Sequence, residues 1–126
     1  MRKTVKVALF AVAAVLTVSA AHADSSIQDK CAGTAAQGVT PDMVIDACTA
    51  IIREGGNPGT LSGAYYNRGN AHFDKKEWAL AIGDFTHALD LRSNYATAMF
   101  NRGLAKKHAG DIAGGDADIA ASKAMK

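Results

Sequence analysis

The length, composition and charge of the chain exclude several classes of protein. It has 126 residues, with 14 Lys and Arg against 12 Asp and Glu, and a formal net charge of +2. This length predicts a single domain. Two Pro and two Cys residues are too few for a proline-rich disordered chain, a disulfide-dense miniprotein or a zinc site with four Cys ligands.

The first 23 residues have the pattern of a secretory signal peptide. A basic start, an uncharged apolar run and a small-x-small motif follow one another: Arg2, Lys3 and Lys6, then residues 7–18, then Ala21-His22-Ala23. A membrane anchor is the alternative, but twelve residues span only about 18 Å as a helix, against a hydrocarbon core of roughly 30 Å. We therefore expect cleavage after Ala23 and a periplasmic or secreted protein.

Cleavage would change the charge balance of the chain. It removes three basic residues and no acidic one, which leaves 11 Lys and Arg beside 12 Asp and Glu, a net charge of −1. No run of more than two basic residues remains in residues 24–126. The sequence therefore predicts no nucleic acid as partner. It also predicts no membrane span after cleavage, because no second long apolar run is present.

A 34-residue repeat organises the rest of the sequence. Residues 65–71 read Tyr-Tyr-Asn-Arg-Gly-Asn-Ala, and residues 99–105 read Met-Phe-Asn-Arg-Gly-Leu-Ala, so that Asn-Arg-Gly-x-Ala recurs at an offset of 34. The same offset, applied toward the N-terminus, predicts a third and degenerate repeat unit before these two. It pairs Ala81 with Ala47 and Phe85 with Ile51.

Each unit is predicted to be a pair of helices, and no stretch shows the period-two alternation of a strand. The predicted units are 24–61, 62–95 and 96–126. The predicted helices include 28–37 in the first unit, 63–74 and 78–91 in the second, and 96–109 in the third. Gly110 is expected to end the helix before it, and Asp111 to cap the final helix.

Further residues are predicted to hold these helices together. Gly inside a helix costs about 1 kcal/mol relative to Ala, so Gly69 and Gly103 indicate places where another helix approaches closely. Ion pairs are expected between Arg68 and Asp84 and between Arg102 and Asp118. The space between units is expected to be filled by Trp78, Phe85, Leu89 and Leu91.

These residues resemble the tetratricopeptide repeat family. The family pattern has an aromatic residue, then Gly, then Ala-x3-Phe, and Tyr65, Gly69 and Ala81-x3-Phe85 stand at those places. The resemblance implies an all-α fold, a short α-solenoid of two clear repeats and one degenerate repeat. It also implies a non-enzymatic module that binds a protein or peptide in a groove lined by the first helix of each pair.

The groove implied by the resemblance uses one face of each first helix. Its predicted residues are Tyr66, Asn67, Asn70 and Phe73 in the second unit, and Phe100, Asn101, Leu104 and Lys107 in the third. Asn side chains both donate and accept hydrogen bonds, so they can hold a peptide backbone of any sequence. The alternative is that Asn67 and Asn101 bond between helices as part of the scaffold.

Cys31 and Cys48 are predicted to lie on the two helices of the first unit. In an oxidising compartment such a pair favours a disulfide, and closing a loop of this length would contribute about 3 kcal/mol. The alternative is two buried free thiols.

No catalytic, metal or cofactor site is predicted. His72, His87 and His108 lack the spacing of metal ligands, and no nucleophile or phosphate-loop motif is present. A competing hypothesis is self-association, in which a homo-oligomer covers an apolar edge of the last unit formed by Ile112, Ile119 and Met125.

Overall fold

A computed structural model of the protein describes residues 26–125. Five α-helices follow one another within them, and no strand occurs among these residues. The helices are α1 (Pro41–Glu54), α2 (Pro58–Asp74), α3 (Trp78–Leu91), α4 (Ala96–His108) and α5 (Ile112–Ala124). A helical segment over residues 26–31 and a 3₁₀ turn (Ala35–Gln37) precede them. The signal peptide predicted over 1–23 lies outside the described residues.

Each helix packs mainly against the next helix along the chain. The pairs α2–α3 and α4–α5 form two helix-turn-helix units, while α1–α2 and α3–α4 join one unit to the next, and α2 also touches α4. This stacking of neighbours, with no single central core, is the arrangement of an α-helical repeat array. The predicted all-α repeat fold is therefore confirmed.

The two helices of each complete unit cross at a glycine. A Cβ atom placed on Gly69 would stand 2.8 Å from Cε1 of Phe85, which is fully buried. A Cβ atom on Gly103 would stand 2.7 Å from the carbonyl oxygen of Gly115 and 2.9 Å from Ile119. Both repeated glycines are therefore places of close helix approach, as predicted.

Arg68 joins three helices. Its Nε and Nη2 atoms donate to the two carboxylate oxygens of Asp84 on α3, at 2.9 and 2.8 Å, and its Nη1 donates to Thr49 Oγ1 on α1 at 3.1 Å. The hydrogen bond with Asp84 raises the pKa of Arg68 above its ordinary value. The ion pair was predicted, and the bond to Thr49 adds a link to the preceding unit.

Arg102 repeats the same arrangement one unit later. It donates to both carboxylate oxygens of Asp118 at 2.7 and 2.9 Å, and to Thr86 Oγ1 on α3 at 3.3 Å. Burial alone would raise the pKa of Asp118, but the hydrogen bonds from Arg102 and Lys106 outweigh it, so this pKa lies below its ordinary value. The pairing therefore stabilises the ionised carboxylate.

The first unit follows an offset of 37 residues, so the sequence pairing based on 34 is wrong there. Thr49 and Thr86 receive equivalent arginines, and they are 37 positions apart. The fully buried residues Cys48 and Phe85 have the same separation. The counterpart of Phe85 is thus Cys48 rather than Ile51.

The shift arises because α2 begins at Pro58, five residues before its predicted start. Asn57 caps the helix, since its Oδ1 accepts from Thr60 N at 2.9 Å, and Pro58 occupies the first turn, where its missing N–H is harmless. The helix therefore has an extra turn that α4 lacks.

Cys31 and Cys48 form a disulfide, as predicted. Their Cα atoms lie 4.8 Å apart, and both residues are buried. Because Cys48 stands where Phe85 stands in the next unit, the disulfide takes the place of the contact between Phe85 and Gly69. The first unit therefore has a covalent bond where the second unit has a packing contact between an aromatic ring and a glycine.

The helix predicted over 28–37 is wrong. The helical segment ends at residue 31, and the chain then folds back so closely that a Cβ atom on Gly33 would stand 2.6 Å from Val39 Cγ2. Thr34 is extended (φ −125°, ψ 162°), and its N–H donates to Gln37 Oε1 at 3.0 Å, which starts the 3₁₀ turn instead.

The other boundaries are close to the predictions. Helix α4 ends at His108, Gly110 has a φ of +99°, and Asp111 Oδ1 accepts from Gly114 N at 2.9 Å, which caps α5. Leu89 is buried between units as predicted, but Leu91 is 38% exposed, because it is the last residue of α3.

Candidate functional site

The predicted groove residues all lie on two helices, α2 and α4, which contact one another. We call this set the groove face: Tyr66, Asn67, Asn70 and Phe73 on α2, and Phe100, Asn101, Leu104 and Lys107 on α4. Their side chains have different neighbours, so the structure divides the set into a polar pair, an exposed apolar part and residues occupied elsewhere.

Two asparagines join the helices at the middle of the groove face. Asn101 Nδ2 donates to Asn70 Oδ1 at 2.9 Å and to the Tyr66 hydroxyl at 3.4 Å, and all three side chains are partly buried. Asn101 therefore does bond between helices. Asn101 Oδ1 and Asn70 Nδ2 have no side-chain partner among residues 26–125, so the pair offers one acceptor and one donor to a ligand.

An aromatic wall borders the asparagine pair. The Tyr66 ring lies 4.8 Å from the Tyr95 ring and 6.0 Å from Phe85, and the Arg92 guanidinium lies 4.4 Å above Tyr95. Burial raises the pKa of Tyr95, the nearby Tyr66 adds to this, and Arg92 opposes it. Tyr95 is not among the residues predicted from the sequence, although an aromatic residue directly before the first helix of a unit is a signal that could have indicated it.

Phe73 belongs to a second aromatic cluster. Its ring meets Trp78 edge-on at 5.0 Å, and Trp78 stacks on His108 at 4.4 Å with the ring planes 11° apart. This cluster joins the end of α2 to the end of α4. Phe73 therefore packs between helices and contributes little free surface to the groove face.

The apolar part of the groove face lies on α4. Phe100 is 38% exposed, and Leu104 is partly buried beside it. Lys107 faces α5 instead, since its Nζ donates to Asp116 Oδ1 at 2.7 Å. Asn67 lines a cavity between α2 and the segment before α1.

The outer face of α5 does not match the predicted apolar edge. Ile119 packs against Gly103, and among the proposed edge residues Ile112 is the strongly exposed one, at 52%. Asp116 and Lys123 on α5 occupy the places of Ile82 and Leu89 on α3, two apolar residues that pack in the cluster around Phe85.

Two further observations bear on the chemistry of the described residues. Within residues 26–125, no three His, Cys, Asp or Glu side chains come together in a way that would hold a metal ion. None of the helices in this range combines the length and the apolar character that crossing a membrane requires.

The helix pairs cross at a repeated glycine, and the hydrogen bonds of a repeated arginine join each pair to the helix before it. These features define an α-helical repeat protein. Residues 62–95, which include α2 from Ser62 onward, all of α3 and the connection to α4, match the family model of the Tetratricopeptide repeat. This repeat is typically an interaction module for proteins rather than a catalytic unit. No curated protein and no solved structure matches the chain.

Proposed function

We propose that the protein is a non-enzymatic interaction module whose groove face binds an extended segment of a protein partner. The observation that carries the proposal is the Asn70–Asn101 pair, which has a free donor and a free acceptor beside the exposed ring of Phe100. The match of residues 62–95 to the Tetratricopeptide repeat supports the same class of function.

The asparagine pair suits a peptide backbone. A backbone amide unit presents one N–H donor and one C=O acceptor, which complement Asn101 Oδ1 and Asn70 Nδ2. The hydrogen bond between the two asparagines fixes their orientation before a ligand arrives, so little side-chain freedom is lost on binding.

Phe100 would supply the apolar contact. Covering a fully exposed Phe side chain contributes about 1.5–3 kcal/mol, so covering the 38% that is exposed here contributes about 1 kcal/mol. Each 1.4 kcal/mol changes a dissociation constant about tenfold, so loss of this contact corresponds to about a fivefold change.

The experiment uses peptides selected from a random linear library on the protein comprising residues 24–126, with affinities measured by fluorescence anisotropy. Phe100→Ala should weaken the selected peptides about fivefold. Leu80→Ala is the matched control, because Leu80 is another exposed apolar residue, 54% exposed, on the second helix of its unit. Peptides that bind both variants and the wild type equally would refute the groove face as the binding surface.

We also propose that the protein works in the periplasm or outside the cell. The Cys31–Cys48 disulfide supports an oxidising compartment, and the basic and apolar pattern of residues 1–23 supports export. N-terminal sequencing of the protein from a periplasmic fraction should give Asp24 as the first residue. A cytoplasmic protein that retains Met1 and two free thiols would refute this location.

A further inference from the structure

A cavity of about 310 Å³ lies between α2 and the segment that precedes α1. One wall is formed by Asn67, Asn70 and Asp74, which follow one another along α2. The opposite wall is formed by residues 31–35 and Val39. The volume is within the range of small-ligand sites, and the cavity shares Asn67 and Asn70 with the groove face.

The cavity lies where the helical segment opposite α2 ends, at residue 31. In the third unit, Asn101 donates across to Asn70 on the preceding first helix. Asn67 has the same place in the second unit, but the helical segment opposite ends at residue 31 and the chain folds back at Gly33. Asn67 accordingly makes no side-chain hydrogen bond to any residue of 26–125, and it lines the cavity.

Asp74 is the one charged residue that lines the cavity. It enters no ion pair within the described part of the chain, whereas the adjacent Lys75 pairs with Asp42 and Glu77. Asp74 is also the last residue of α2, where the helix dipole disfavours a negative charge. The carboxylate therefore opposes local stability and has no structural partner that compensates for it.

We propose that this cavity binds a protonated amino group. An ammonium group has three N–H donors and no acceptor, and the cavity provides the Asp74 carboxylate together with Asn67, whose amide oxygen can accept. The proposal rests on the proposed function, because the amine would belong to the same partner segment that the groove face holds. Both a peptide α-amino group and a Lys side chain have this chemistry.

Small probes test the cavity separately from the rest of the groove face. Alanine methylamide carries an α-ammonium group, N-acetyl-lysine methylamide carries a side-chain ammonium, and N-acetyl-alanine methylamide and propionate are neutral and anionic controls. We expect one or both ammonium probes to shift the side-chain NH₂ signals of Asn67 and Asn70 saturably in ¹H–¹⁵N spectra, and which of them binds identifies the source of the amine. Equal shifts with propionate, or no saturable shift with either ammonium probe, would overturn the proposal.

Variants assign the effect to the cavity. Asp74→Asn should weaken ammonium binding at least tenfold without lowering the thermal midpoint, while Asp90→Asn, which removes an exposed charge on α3, should leave binding unchanged. Ala35→Trp adds bulk at an exposed position of the cavity wall and should also abolish binding. Unaltered binding in both Asp74→Asn and Ala35→Trp would refute the site.

The failure of this inference is distinguishable from failure of the proposed function. Phe100→Ala should leave the ammonium probes unaffected, because Phe100 does not line the cavity. The groove face would be supported and the amine site overturned by one result. The selected peptides would lose affinity in Phe100→Ala, but would bind wild type equally with free or acetylated N-termini and with or without Lys.

Discussion

The crossing of α4 and α5 at Gly103 allows a quantitative test of the packing. In Gly103→Ala, the added Cβ atom would meet the carbonyl oxygen of Gly115 at 2.7 Å. The reverse contact is equally close, since a Cβ atom on Gly115 would stand 2.5 Å from the carbonyl oxygen of Gly103. Backbone atoms cannot move aside by changing a rotamer, so the two helices must separate to admit the methyl group.

Two opposing terms determine the effect on stability. Replacing Gly by Ala inside a helix favours the folded state by about 1 kcal/mol. Overpacking typically costs about 1–3 kcal/mol, and the upper value applies here because the nearest atom belongs to the backbone. We therefore expect Gly103→Ala to lower the free energy of unfolding by about 2 kcal/mol.

Urea denaturation followed by circular dichroism at 222 nm measures this change, and Gly83→Ala provides the control. Apart from its chain neighbours and the backbone of its own helix, nothing lies within 4 Å of a Cβ atom on Gly83, so this variant should gain the helix-propensity term alone, about 1 kcal/mol. The two variants should therefore differ by about 3 kcal/mol. A Gly103→Ala protein as stable as the Gly83→Ala protein would refute the close crossing.

Three further predictions concern pH, redox state and assembly. The folded-state pKa of Asp118 is lowered, so its pairing stabilises the fold above the unfolded pKa of about 4 and loses this effect as the pH falls through the folded pKa. The difference in unfolding free energy between wild type and Asp118→Asn should therefore shrink from about pH 6 to about pH 3. A difference that stays constant over this range would contradict the prediction. Replacing both Cys31 and Cys48 by Ser should lower the unfolding free energy by about 3 kcal/mol, and wild type in reducing agent should match the variant. Sedimentation equilibrium should give a monomer, because the outer face of α5 has Asp116 and Lys123 in place of apolar residues; a concentration-dependent dimer that Ile112→Ser abolishes would contradict this.

The complete repeats could be predicted from the sequence because their contacts are encoded within one period. Gly69 and Arg68 recur with their partners 16 residues later, Phe85 and Asp84, so a single 34-residue pattern specifies the crossing point and the ion pair. The hydrogen bond from Arg102 to Thr86 was not predicted, because it joins different units and its acceptor is a residue type common on any helix.

The first unit could not be predicted as well, since it lacks the residues that mark the others. Cys48 replaces the aromatic residue, so the offset of 37 had no sequence marker. The turn at Gly33 depends on packing with Val39, a tertiary contact that outweighs the helix preference of the alanines nearby. The candidate groove residues lie on the two first helices, α2 and α4, but contacts with α3 and α5 determine which of their side chains are free.

The bonds that Arg68 and Arg102 make to two other helices each affect how the array unfolds. If α5 detached alone, Arg102 would lose Asp118, its carboxylate partner, while its Nη1 remained bonded to Thr86 Oγ1 on α3. Such an unpaired charge opposes fraying from the end of the array. The last unit should therefore melt together with the unit before it, and amide hydrogens of α5 should exchange with nearly the same free energy as those of α3.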